Sequence, residues 1–271
     1  MNQNEPTEIK IQYINCIMPD SLNYIKKQID INCDMGEGFH NEADLMPLIS
    51  SANIACGFHA GDSDTIKRTI ELAMRHHVAI GVHPSYDDRE NFGRQSQLIS
   101  LLELAELISD QLYLFEKVAI PMGAPIHHIK LHGALYNDCA KDAVLSKIFI
   151  QTVQAINPDL IIYGLSGSHT IQQAKNFGQP FANEVFADHT YQNNGLLTPR
   201  YLDNAMIYDS QLASEQVLKM IFEKKVATIH EEDIPIEADT ICIHSEGINA
   251  IPIANHIYAI LKQNNIEIKY P

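Results

Sequence analysis

Short apolar runs alternate with longer amphipathic ones along this chain. Ile, Val and Leu concentrate in "IDINC", "SANIAC", "VAIGVH", "HHIKLH", "LIIYGL", "FANEVFA" and "TICIH", each of a length suited to a buried strand. Between most of them the spacing turns helical. "DSDTIKRTIELAMRHH" offers Asp62 or Asp64 as N-cap and sets Ile66, Ile70 and Ala73 at helical intervals. "SQLISLLELAELISDQLYLFEKVA" reads as a long amphipathic helix, and "DAVLSKIFIQTVQAIN" stops before Pro158. "SGSHTIQQAKNFG" ends on Gly178 as a C-cap; "DSQLASEQVLKMIFEKK" and "NAIPIANHIYAILKQNN" complete the set. This alternation predicts an α/β fold with about seven mostly parallel strands.

The strand exits are unexpectedly polar. In "IDINCDMGEGFHNE", Asp30, Asn32 and Asp34 occupy alternate positions and so share one side of the strand, with Glu37 just beyond. The second strand leads to Asn53, His59 and Asp62, and the third to His83, Ser85, Asp87 and Asp88. The fourth gives Lys130, His132 and Asn137, the fifth Ser166, the sixth Glu184 and Asp188, the seventh His244 and Glu246. An open doubly wound sheet and a closed barrel both fit the alternation. Ionisable groups at the ends of so many strands favour the barrel, where those ends converge on one mouth. Lys130 lies inside an apolar strand and needs a carboxylate or a substrate anion as partner.

Composition narrows the function. The 271 residues carry 19 basic and 34 acidic side chains, a net charge of −15, which disfavours nucleic acid and anionic membranes as partners. The five cysteines are scattered and form no CxxC pair, so neither a disulfide framework nor a zinc knuckle is expected; Cys33, Cys56 and Cys242 read as small buried hydrophobes. No apolar run reaches the ~18 residues of a membrane span, and the N-terminus lacks the apolar core of a signal peptide, so a cytoplasmic protein is expected. There is no P-loop, no GxSxG and no HExxH. Carboxylates and histidines from different strands fit either a divalent metal with an open position or metal-free general acid–base chemistry.

Several blocks resemble the LamB/YcsF family of 5-oxoprolinase A subunits. They are Asp30-Asn32-Asp34-Gly36-Glu37, "SANIACGFHAGD" from Ser51 to Asp62, "GVHPS" from Gly81 to Ser85, and "FGR" from Phe92 to Arg94. "KLHGALYN", "EVFADHTY", Pro199-Arg200 and "HSEG" extend the resemblance, with Leu131 for a family proline, His189 for an arginine and Ser245 for a glycine. The resemblance runs from about Ile29 to about Lys262 and leaves residues 1–28 as an extension before a single barrel domain, 29–271. It implies a distorted (β/α) barrel, similar to those of sugar deacetylases. It also implies ATP-dependent opening of the lactam 5-oxo-L-proline to L-glutamate, together with subunits B and C. Asp30 or Asp34 is then the expected general base, with His59 or His132 as helper. Asn32, Glu37, Asn53, His83, Arg94, Lys130, Asn137, Glu184 and Asp188 are expected to bind substrate, Lys130 or Arg94 pairing with its carboxylate. ATP serves as co-substrate, with "GLSGSHT" at residues 164–170 the nearest thing to a phosphate cradle, although a plain βα turn suits it better. The alternatives are a stand-alone metal-dependent amidohydrolase or deacetylase, and a carrier that only holds the lactam.

Overall fold

The structure, a computed structural model, describes residues 27–246 and 249–271. The expected extension at residues 1–28 therefore falls, apart from Lys27 and Gln28, outside the described residues, as does Cys16. In chain order the strands are β1 (Gln28–Met35), β2 (Ser51–Ala55), β3 (Ala79–His83), β4 (Ile126–Lys130), β5 (Ile161–Leu165), β6 (Phe181–Phe186), β7 (Lys225–Ala227), β8 (Asp233–Pro235), β9 (Thr240–Ile243) and β10 (Glu267–Ile268). The helices are α1 (Glu42–Leu45), α2 (Ser63–His76), α3 (Leu101–Ala119), α4 (Gly133–Lys141), α5 (Ala143–Ile156), α6 (His169–Phe177), α7 (Ser210–Glu223) and α8 (Ala250–Gln263).

Strands β1 through β6 pair in sequence, all parallel, and β9 pairs with both β6 and β1, closing a seven-stranded barrel. The seven apolar runs are these seven strands. β10 adds outside β1, and β7 and β8 form a separate antiparallel ribbon. The helix limits follow local chemistry. Asp62 caps α2 by accepting from the Thr65 amide, and Gly178 ends α6 in the left-handed region. α3 begins at Leu101, later than the apolar pattern suggests, because Ser100 and Glu103 form a capping box there. α4 is the helix the pattern does not show; it follows directly from the exit of β4, with Gly133 as its first residue. Among the described residues no helix is long and apolar enough to cross a membrane.

The strands' two faces have opposite character, and this positions the site. Ile31, Cys33, Ile54, Val82, Ile129, Ile162, Val185 and Ile241 face outward and pack under the helices as the apolar core. The alternate residues fill the barrel with polar groups in place of the branched apolar layers usual in such barrels. Each buried polar atom then needs a partner. At the bottom, Asp30 accepts from Ser50, Ser51 and Thr240. Above it, Asn53 donates to Asn32 and Asp34, and His128 bonds Asn53 while stacking on Tyr163 at 4.1 Å. Gly81 makes room for that imidazole, since a Cβ there would overlap the His128 ring. Gly81→Ala is expected to destabilise the fold by about 1–3 kcal/mol through overpacking. Urea denaturation measures this, and an unchanged midpoint would show that the ring moves aside freely.

Candidate active site

At the C-terminal ends of the strands a cavity of about 360 Å3 opens. Its lining includes Asp34, Glu37, Lys130, His132, His244 and Glu246, supplied by β1, β4, β9 and the segments that follow them. The cavity lies at the barrel mouth, where substrate sites of such folds form.

Lys130 stands at its floor. Its ammonium is 2.9 Å from Asp34 Oδ1, 3.2 Å from Asn32 Oδ1, 3.1 Å from Cys242 Sγ and 2.9 Å from Glu184 Oε1. Three N–H groups face four acceptors, and the hydrogen bond to Glu184 is the one left poorly aligned, so Glu184 Oε1 lacks a donor. Burial pushes the Lys130 ammonium down, but Asp34, Cys242 and Glu184 outweigh it and hold it well above its ordinary value. Asp34 mirrors this: burial pushes it up, and His83 and Lys130 hold it well below the usual carboxylate range. Lys130 is thus paired with protein carboxylates, the first of the two kinds of partner that its place in an apolar strand calls for, while still lining the cavity. Cys242 likewise is no mere hydrophobe, because its sulfur faces that ammonium; Cys33 and Cys56 do sit in the apolar core.

Asp30 is far from the mouth. It lies on the same side of β1 as Asp34 but about 13 Å lower along the strand. It is fully buried, its carboxyl pushed up by that burial against the Ser50, Thr240 and Ser51 hydroxyls, and it does not line the cavity. Asn32 and Asn53 are buried links of the same interior network and do not line the cavity either.

Beside Lys130, four side chains converge. Gly36 and Gly38 both take positive φ, turning the chain after β1 so that Glu37 returns over the mouth. Glu37 Oε1 lies 3.1 Å from His59 Nε2, 3.2 Å from His132 Nδ1 and 3.8 Å from His83 Nε2. The His59 and His132 rings stack at 3.8 Å. These four donor atoms lie within 4.8 Å of one another, a spacing that could hold a metal ion. Two further triplets at the mouth, Asp34–Cys242–His244 and Asp188–His189–His244, share His244.

The far side carries the free positive charge. Arg94 and Arg200 both pair with Glu246, two cations on one carboxylate. Next to them His244 Nδ1 lies 3.0 Å from both oxygens of Asp188, and its ring lines the cavity. Burial pushes Asp188 up, but His244 holds it below its usual range. Glu184 accepts from the Tyr136 hydroxyl at 2.7 Å, and Asn137 lines the wall while donating to Gly133 O. His189 is buried, and burial followed by His244 pushes it down to about 3, so it brings no charge at neutral pH. Residues 164–170 do not line the cavity; Ser168 caps α6 in an ordinary turn.

His189 gives a test of this electrostatic picture. An unfolded histidine takes its proton near 6.5, whereas buried His189 takes it at about 3. Between these values the unfolded state binds more protons, so stability is lost as pH falls, by about 1.4 kcal/mol per pH unit. His189→Gln should flatten the dependence of unfolding free energy on pH by one proton between about pH 6 and pH 4. An identical slope would contradict neutral burial.

The pattern of strand exits leaves Arg200, Tyr136 and Cys242 without a role, and it does not join His244 to Asp188. Only closure of the barrel brings the β6 and β9 exits together. His244 and Glu246 were visible as polar exits; Arg200 had only its Pro-Arg block as a signal.

A parallel (β/α) barrel with carboxylates and imidazoles at the floor of its mouth and two arginines at the rim is a framework on which many enzymes are built. The chain belongs to the LamB/YcsF family, whose family model matches residues 29–271. It is 44% identical over 247 residues to a protein of Tolumonas auensis named as the A subunit of 5-oxoprolinase, covering 89% of this chain and 98% of the relative. The crystal structure of a lactam utilization protein from Thermus thermophilus superposes with a TM-score of 0.84 at 32% identity, covering 90% of this chain and 100% of that one. A family 4 carbohydrate esterase from Streptomyces lividans, 8% identical with a TM-score of 0.50 over 89% of this chain and 91% of its own, shares the fold.

Proposed function

We propose that this chain is the A subunit of an ATP-dependent 5-oxoprolinase, which opens 5-oxo-L-proline to L-glutamate. The observation that carries this reading is the near full-length similarity to relatives of that name. The blocks around Asp34, Glu37, Lys130 and His132 supply the cavity floor.

An unstrained five-membered lactam resists hydrolysis. Transfer of phosphate from ATP to its amide oxygen makes the carbonyl carbon far more electrophilic. ADP leaves, water adds to that carbon, and the C–N bond breaks as the ring nitrogen takes a proton; the acyl phosphate so formed is hydrolysed by a second water to glutamate and inorganic phosphate. We assign this activation to subunits B and C or to a site shared with them, this chain having no P-loop motif.

In this chain Arg94 and Arg200 hold the substrate carboxylate, since one of their two charges is not cancelled by Glu246. His244, donating from Nδ1 to Asp188, turns Nε2 toward the cavity with no partner among the described residues. That nitrogen takes the proton of the attacking water and passes it to the leaving ring nitrogen. Asp34, held as an anion by His83 and Lys130, orients the lactam instead. Arg200→Gln in the reconstituted complex should raise KM for 5-oxoproline about tenfold or more, with kcat less affected. An unchanged KM would remove Arg200 from substrate binding, and a wild-type complex unable to open the lactam would end the reading.

A further inference from the structure

Hydrogen-bond donors and acceptors around Glu37 do not balance. A peptide carbonyl only accepts, so His83 Nδ1, 2.7 Å from Lys130 O, carries a proton, and so does His132 Nε2, 2.9 Å from Phe92 O. The Ser85 hydroxyl donates to Tyr86 O at 2.8 Å and therefore accepts from His59 Nδ1 at 2.9 Å. All three rings thus spend their proton on the outer nitrogen. Their inner nitrogens, His83 Nε2, His132 Nδ1 and His59 Nε2, present bare lone pairs to one another and to the Glu37 carboxylate. His83 Nε2 and His132 Nδ1 are only 3.0 Å apart.

Four acceptors at such distances repel unless positive charge lies among them. A single extra proton bridges one pair and leaves the others facing. A second proton would place two like-charged imidazoliums face to face on rings stacked at 3.8 Å. One divalent cation meets all four lone pairs at once.

We propose that Glu37, His59, His83 and His132 bind a resident divalent ion of the zinc class. Four donors arranged tetrahedrally at about 2.0–2.1 Å from Zn2+ stand about 3.3–3.4 Å from one another. Four of the six separations within this set are 3.0, 3.1, 3.2 and 3.8 Å, and all six are within 4.8 Å. The outer bonds to Lys130 O, Phe92 O and Ser85 fix tautomer and ring orientation, as the outer partners of metal-binding histidines do. An imidazole-rich set with one carboxylate selects zinc, iron, nickel or copper over magnesium and calcium. His59 and His132 now lie parallel, 3° apart, so loading tilts both rings toward a common point. Asp34 Oδ2, 3.3 Å from His83 Nε2, adds negative charge beside the ion.

The proposal is independent of the reaction, because metal content is read without turnover. The test uses the full chain, free of any histidine tag, dialysed against micromolar zinc and then metal-free buffer. Elemental analysis should find one zinc per chain in the wild type and in His256→Gln, a control outside the set. His83→Gln and Glu37→Gln should retain at least about tenfold less. Should those variants fail to fold, cobalt loaded into the wild type reads the same site: four-coordinate cobalt gives intense visible absorption, which a chelator should abolish and zinc displace. Wild-type protein holding no more zinc than His83→Gln, or folded wild type that gives no such cobalt spectrum, would overturn the proposal and leave a proton-sharing histidine network.

Discussion

Replacing Lys130 by methionine is expected to cost about 3–5 kcal/mol of folding stability. The substitution keeps much of the side chain's length and apolar stem but removes its charge. Asp34 and Glu184 then remain in the barrel, 5% and 0% exposed, without their shared cation. Asn32 and Cys242 lose the same donor. The pair is no proof of a stabilising bridge, since burying three charges is itself costly; the large effect comes from leaving two of them alone. Lys130→Met combined with Glu184→Gln should therefore recover part of the loss, because one orphaned carboxylate becomes a neutral amide. Urea denaturation of both proteins gives the comparison. If the double variant is no more stable than the single one, the carboxylates are satisfied by something other than Lys130.

His244→Gln should lower kcat in the full complex by about 100-fold or more, the range general-base groups supply. Glutamine has similar reach and can still bond Asp188, so the cavity wall should stay in place. Stability should fall less than for Lys130→Met, because the glutamine amide can still donate to the buried Asp188 and His244 lies at the mouth, away from the apolar core. Asp188→Asn should reduce kcat in the same direction, since it no longer stabilises the imidazolium formed during proton transfer. A His244→Gln enzyme with near wild-type kcat would return the base to another group. Asp30→Asn offers the contrast. Its effect should fall on stability, since the side chain meets three hydroxyls in a layer no substrate reaches.

The barrel strands were legible because parallel strands buried under helices carry apolar residues on their outer faces whatever fills the inside. The row Asp30–Asn32–Asp34 was legible as one face for the same reason of period. Depth along that face was not, because a carboxylate in the interior network and one at the mouth look alike in a strand pattern. Thr240 and Ser50, which satisfy Asp30, lie in other segments of the chain. α4 was hidden by its shortness and its opening glycine. The role of Lys130 was half legible: a lysine in an apolar strand demands a counter-charge. Which carboxylate supplies it depends on β1 and β6 meeting β4 across the barrel, a contact that only closure creates. Arg200 gained its place at the rim through Glu246, far along the chain.

The central claim is that this barrel mouth opens 5-oxoproline as part of a larger ATP-driven complex. Glutamate release from 5-oxoproline, followed with ATP consumption for the chain alone and for the chain with subunits B and C, tests it most directly. The account predicts little or no glutamate from the chain alone and ATP-coupled release from the complex, lost when this chain is left out. Glutamate formed at full rate by the B and C subunits without this chain would contradict it, as would formation by this chain alone without ATP.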